Sequence, residues 1–144
     1  MNKHERFKHE RDGLDAREAV LRDAEYGRQA LDEADLFRIK WLGFYEHNTK
    51  DGRFMLRTKI PQGILTGEQA QALAWIAGEH GQGLIDCTTR QCVQIHRITL
   101  QAMPAILAEL ERVGLTSVGA CGDATHNVIG CPVAGIAHDE LAEV

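Results

Sequence analysis

The chain has 144 residues, enough for one domain with a modest core or for a fragment of something larger. Sixteen Lys and Arg against 21 Asp and Glu leave a net charge of −5, which argues against nucleic acid as the main partner because phosphate binding needs a basic field. No apolar run approaches membrane-spanning length and the N-terminus is charged without an apolar signal core, so no membrane partner and a cytoplasmic location are expected.

Residues 1–36 are dense in charges of both signs, with only sparse apolar residues such as Leu14, Val20, Leu21 and Leu31. This stretch is expected to be a charged helical arm, weakly amphipathic or partly disordered, that packs on another part of the protein. Phe37 to Tyr45 changes character: it is aromatic-rich, with Phe37, Ile39 and Trp41 alternating against Arg38 and Lys40. Asp51-Gly52 supplies a turn signal before Phe54–Ile60, where Phe54, Leu56, Thr58 and Ile60 alternate with Met55, Arg57 and Lys59. Pro61-Gln62-Gly63 closes that strand.

Thr66 and Gln69 fit a capping box that opens a helix with Ala70, Leu73, Ala74 and Ala77 along one face and Gly81 and Gly83 at its end. The next stretch, Leu84 to Ile98, reads as a hairpin. Ile85, Cys87, Val93 and Ile95 fall at odd positions, while Asp86, Thr88, Arg90, Gln94 and His96 fall at even ones. The even face stays continuous through the turn only if the loop has an odd number of residues, such as Thr89-Arg90-Gln91. A second helix is expected from about Gln101 to Arg112, with Met103, Ile106, Leu107 and Leu110 as its stripe, and Leu115 to Cys121 as a last short strand.

Strand, helix, strand, strand, helix, strand is the order of a ferredoxin-like split βαβ unit, an α+β fold with two helices on one face of an antiparallel sheet. The uncovered face would carry Arg57, Lys59 and the polar side of the hairpin. Arginine forks bind carboxylates in bidentate fashion, so this cationic group suits a polycarboxylated cofactor or a small oxyanion, or else is a solvated basic patch. The glycine-rich run from Gly119 to Ile136 lets backbone approach a ligand closely and offers Asp123, His126 and Asn127 as polar groups. Cys87, Cys92, Cys121 and Cys131 form no CxxC pair, so no metal ligand is assigned; Cys87 and Cys92 are expected to be reduced and buried.

Three separated motifs carry a resemblance. Phe54–Gly63, then Thr88-Thr89-Arg90-Gln91 leading into Gln94-Ile95-His96, then Gly122-Asp123 through Asn127 to Gly130–Gly135, resemble the assimilatory nitrite and sulfite reductases. Those are sirohaem and 4Fe-4S enzymes that take electrons from ferredoxin or another low-potential donor. Lys40–Tyr45 resembles the ferredoxin-dependent nitrite reductase branch. The resemblance divides the chain into an arm (1–36), a ferredoxin-like half domain (37–121) and the truncated start of a sirohaem-binding domain (122–144). It implies that Arg57 and His126 act at the bound oxyanion. It further implies that Arg57, Lys59, Thr88, Thr89, Arg90, Gln94, His96 and Asn127 contact sirohaem. The reaction implied is six-electron reduction of nitrite to ammonia or sulfite to sulfide.

Two departures stand out. Where the family has an arginine before the asparagine, this chain has His126, which is not permanently charged at neutral pH. The family's cluster cysteines lie in the C-terminal half of a chain several times this length, and the four cysteines here lack their spacing. An N-terminal portion, inactive alone, is therefore the first expectation. The alternatives are a stand-alone ferredoxin-like binding module without turnover, and a subunit that completes a pocket with a separate chain.

Overall fold

The computed structural model describes residues 1–15, 17–49 and 51–138, so the last six residues of the 122–144 stretch lie outside it. Helix α1 (Lys3–Glu10) begins at Asn2, whose side-chain oxygen accepts the Glu5 N–H at 2.9 Å. Helix α2 (Arg17–Ala24) follows, then α3 (Glu33–Arg38), opened by a capping box in which Asp32 and Asp35 each accept the other's backbone N–H. A 3-10 turn, Ile39–Leu42, continues α3 and stops at Gly43 in the left-handed region (φ +87°). The alternation of Phe37, Ile39 and Trp41 is therefore helical: the Asp32 cap starts a helix that buries Phe37, Ile39 and Leu42.

The sheet has four strands in the order β1-β2-β4-β3, all antiparallel to their neighbours: β1 (Phe44–Glu46), β2 (Phe54–Thr58), β3 (Ile85–Cys87) and β4 (Val93–Ile98). Helix α4 (Gly67–His80) joins β2 to β3, and α5 (Met103–Arg112) follows β4. This is the expected ferredoxin-like α+β arrangement. Thr66 and Gln69 make the predicted capping box of α4. Phe54, Leu56, Ile95 and Ile98 join Leu73, Ile76, Ile106 and Leu107 in one apolar cluster beneath the helices. Val20, Ala24 and Leu31 of the N-terminal stretch belong to the same cluster.

Four local expectations need correction. The buried face of α4 is Ala72, Leu73, Ile76 and Ala77, with Ala70 and Ala74 exposed; alanines carry little phase information and Ile76 decides the face. The last strand, Leu115 to Cys121, shrinks to one bridge between Lys59 and Thr116. β1 takes most of that edge of β2, and the buried Ser117 hydroxyl turns to donate to Leu42 O at 2.7 Å. Ile85 and Cys87 are exposed, because β3 is the outer strand of the sheet. Finally, β4 bulges: Ile98 pairs with Phe54 but Ile95 with Leu56, and Arg97 between them has φ +68°.

The hairpin loop is the three-residue kind. Thr88 N–H donates to Cys92 O at 2.9 Å, Gln91 N–H closes a turn on Thr88 O at 3.0 Å, and Gln91 itself is left-handed (φ +55°). Parity therefore holds, and Asp86, Gln94 and Arg57 lie in one cross-strand row. Cys92 falls on that same face but is buried.

Candidate functional site

Arg57 projects from near the C-terminal end of β2, on the face the helices do not cover. Beside it in β4 stands Gln94; with its amide oxygen turned to the guanidinium, it accepts from Arg57 Nε at 2.8 Å and also from Nη2. Arg57 Nη1 lies 3.6 Å from Cys121 Sγ. The head group is thus fixed on two sides, by a strand neighbour and by the glycine-rich loop. Burial pushes the Cys121 thiol pKa up, and the nearby Arg57 charge opposes that rise.

Beside Arg57 the glycine-rich loop leaves an open cleft of about 400 Å³, lined by Tyr45, Arg57, Arg90, Asp123 and His126 among others. Burial lowers the His126 pKa first, and the charges of Arg57, Arg90 and Lys59 lower it further. His126 is therefore the neutral member of a cationic set at neutral pH. Among the described residues, neither Arg90 nor Lys59 has a carboxylate at ion-pair distance. The arrangement can bind an anion, which by offsetting the cations lets the His126 imidazole take up a proton and pass it on.

The remaining sequence candidates scatter. Lys59 sits beside the same loop, where a Cβ on Gly119 would come 2.9 Å from its Nζ. Thr89 is exposed at the hairpin tip. Thr88 uses its hydroxyl to accept the Cys92 N–H at 3.1 Å and lines a second cleft of about 520 Å³, shared with Ile60 and Gly130. His96 lies toward the other end of β4, its Nε2 2.9 Å from Asp86 Oδ2 and its ring 5.3 Å from that of His47. Asn127 turns its amide inward, donating to Ile60 O and Arg90 O at 3.0 Å and Gln91 O at 3.2 Å. Its Oδ1 is buried and meets no donor among the described residues.

Sequence reasoning missed three supporting residues. Gln91 clamps the glycine-rich loop by exchanging hydrogen bonds with Gly130, at 2.9 Å to its carbonyl and 2.8 Å from its N–H. Its left-handed position gives no signal in composition. Trp41 donates from Nε1 to Gly122 O at 2.6 Å; the aromatic-rich run and the Lys40–Tyr45 motif mark it in the sequence but attach no role to it. His47 reaches the bulge of β4 by accepting the Arg97 N–H on Nε2 at 3.4 Å. Among the described residues, no group of three or more His, Cys, Asp and Glu side chains is placed to hold a metal ion. Nor is any helix among them long and apolar enough to cross a membrane.

Comparison with known proteins agrees with the motifs. Residues 45–113 match the nitrite/sulfite reductase ferredoxin-like half domain. The ferredoxin–nitrite reductase of Leptolyngbya laminosa is 40% identical over 145 residues, which cover 99% of this chain and 28% of that protein. That of Synechococcus elongatus is 43% identical over 143 residues, covering 98% and 28% respectively. The solved structure of the Mycobacterium tuberculosis NirA protein superimposes with a TM-score of 0.89 at 30% identity, over 99% of this chain and 29% of that one. The chain therefore spans less than a third of the length of the proteins it matches. Residues 45–113 thus carry the ferredoxin-like half domain of the nitrite/sulfite reductases, and nearly the whole chain is similar to part of the ferredoxin–nitrite reductases.

Proposed function

We propose that the chain supplies one wall of the sirohaem and oxyanion site of a ferredoxin-dependent nitrite reductase, in which nitrite is reduced by six electrons to ammonia. Sulfite reduction to sulfide is the same chemistry on another oxyanion. The observation that carries this reading is the cleft on the uncovered sheet face, where Arg57, Arg90 and His126 converge. Relatives 40% and 43% identical that are ferredoxin–nitrite reductases support it. Ferredoxin is accordingly the proposed electron donor, and free thiols at all four cysteines suit a cytoplasmic setting.

The residues present fit sirohaem, whose carboxylates need cationic partners at an open surface. Sirohaem, when bound, would supply the iron that takes the oxyanion and would pass to it the electrons that ferredoxin delivers. Arg90 and Thr89 at the hairpin tip bind its carboxylates, with Lys59 adding charge. Arg57, held by Gln94, faces the bound oxyanion and draws charge from its oxygens. His126, neutral until a bound anion draws a proton from solvent onto its ring, would then deliver that proton. A 4Fe-4S cluster does not fit these cysteines, two of which are exposed and two buried, so its ligands are assigned to residues outside this chain.

Titration of the purified chain with sirohaem, followed by absorbance, tests the reading. Weak but saturable binding is expected, lost in Arg57→Ala and Arg90→Ala, with no nitrite reduction by the 144 residues alone. Binding that both substitutions leave unchanged contradicts the site, and turnover by the isolated chain contradicts its role as a single wall.

A further inference from the structure

Trp41 bonds to both ends of the turn that opens the cleft loop. Its backbone oxygen accepts the Gly119 N–H at 2.7 Å, and its indole Nε1 donates to Gly122 O at 2.6 Å. Between those two glycines lies Cys121, which meets Arg57, and just after them come Asp123 and His126 of the cleft. Both glycines have positive φ, +72° at Gly119 and +85° at Gly122, so the turn has a backbone that other residues rarely adopt.

The indole is also enclosed edge and face by backbone. A Cβ on Gly122 would lie 2.1 Å from Trp41 Cδ1, and a Cβ on Gly13 would lie 2.1 Å from Trp41 Cε3. Gly13 belongs to the turn between α1 and α2, far from the cleft in sequence. One ring thus touches the N-terminal arm on one side and the cleft loop on the other. A residue that only filled space would need neither the N–H partner nor glycine on both sides; phenylalanine would serve.

We infer that Trp41 is a positioning residue that couples the N-terminal arm to the anion cleft, so that the packing of Gly13 on the indole sets where Cys121, Asp123 and His126 stand. The functional half of this inference rests on the reading of the cleft as an anion site. The coupling itself rests only on the contacts of Trp41. The arm then acts as a support of the site, although none of its described side chains lines the cleft.

The test is amide and indole NMR on the whole chain, with sodium nitrite as the probe. Trp75→Phe assigns the Trp41 indole resonance. Gly13→Ala is expected to move that resonance and the amides of 119–126 while those of β2 and β4 stay in place. Trp41→Phe keeps the ring and removes the donor, so it tests the bond even if Gly13→Ala fails to fold. Both variants should weaken nitrite binding by about fivefold, the factor associated with one lost hydrogen bond. In a Trp41→Phe background, Gly13→Ala should add little, since both act through one contact. If 119–126 keep their resonances in both variants, the coupling is overturned. Should the loop resonances move while the unaltered chain binds no nitrite, the coupling stands and the anion reading of the cleft fails.

Discussion

Gln94 holds Arg57 against the sheet: the two are paired across β4 and β2, and the Gln94 oxygen takes hydrogen bonds from Arg57 Nε at 2.8 Å and from Nη2. An arginine fixed in this way loses little rotamer freedom when an anion arrives. Gln94→Leu should therefore weaken sirohaem binding by about tenfold, roughly the worth of one hydrogen bond to a charged group. Gln94→Glu keeps the acceptor but cancels the charge, so it should weaken binding more than Gln94→Leu. Sirohaem titrations of the two variants decide the matter, and the reverse order would show that Gln94 acts on packing alone.

His126 makes anion binding depend on pH. Burial, with Arg57, Arg90 and Lys59, holds its pKa below the ordinary histidine value of 6.5, so it is neutral in the free chain at neutral pH. A bound anion offsets those cations and draws a proton onto the ring. Nitrite affinity should therefore rise as pH falls below 6.5, and each binding event should take up protons from buffer. Calorimetry in two buffers of different ionisation enthalpy measures that uptake. His126→Gln should abolish it, and uptake that persists in the variant would assign the proton to another group.

These side chains differ in how far the amino-acid order announced them. Alternation from Asp86 to His96 marked a polar face but left its register open, since only an odd loop keeps that face continuous; the three-residue turn is what decides it. It could not announce Gln91 or Arg97, whose left-handed backbones arise from the loop and the bulge rather than from composition. The same bulge helps to leave His96 with Asp86 and His47, outside the cleft that holds Arg57. Helix α4 was legible as a helix through Thr66 and Gln69, yet its buried face was misread because alanine fits either side. Arg57, Arg90 and His126 were reached through motifs in three separated segments. Trp41 lay in the Lys40–Tyr45 motif, but its role did not show there, since its partners Gly13 and Gly122 meet only in the folded chain.

Asn127 ties its loop to two other backbone segments with one amide, at Ile60 and at the adjacent Arg90 and Gln91. Asn127→Ala should destabilise the chain by about 1–2 kcal/mol, the usual range for lost hydrogen bonds to partly buried carbonyls. Asn127→Asp should be worse, since a carboxylate would then face carbonyl oxygens. Thermal unfolding gives the order. Equal melting temperatures for the native chain and Asn127→Ala would show that Gln91 and Gly130 alone hold the loop.

His47 should make the sheet sensitive to acid. Its Nε2 accepts the Arg97 N–H at 3.4 Å, at the bulge, and so must be unprotonated in the fold. Burial lowers its pKa, and His96 at 5.3 Å and Arg97 lower it further, while Asp51 opposes them. A histidine whose folded pKa lies below 6.5 contributes stability that is fully present above 6.5 and is lost as pH falls below that value. His126 has the same sign, so the native chain alone cannot separate the two. His47→Gln can: its amide oxygen still accepts from Arg97 but takes no proton. Melting temperatures at pH 7.5 and 5.5 should therefore differ less for His47→Gln than for the native chain. An equal drop in both would place the acid-sensitive group elsewhere, and His126→Gln would then be the variant that resists acid.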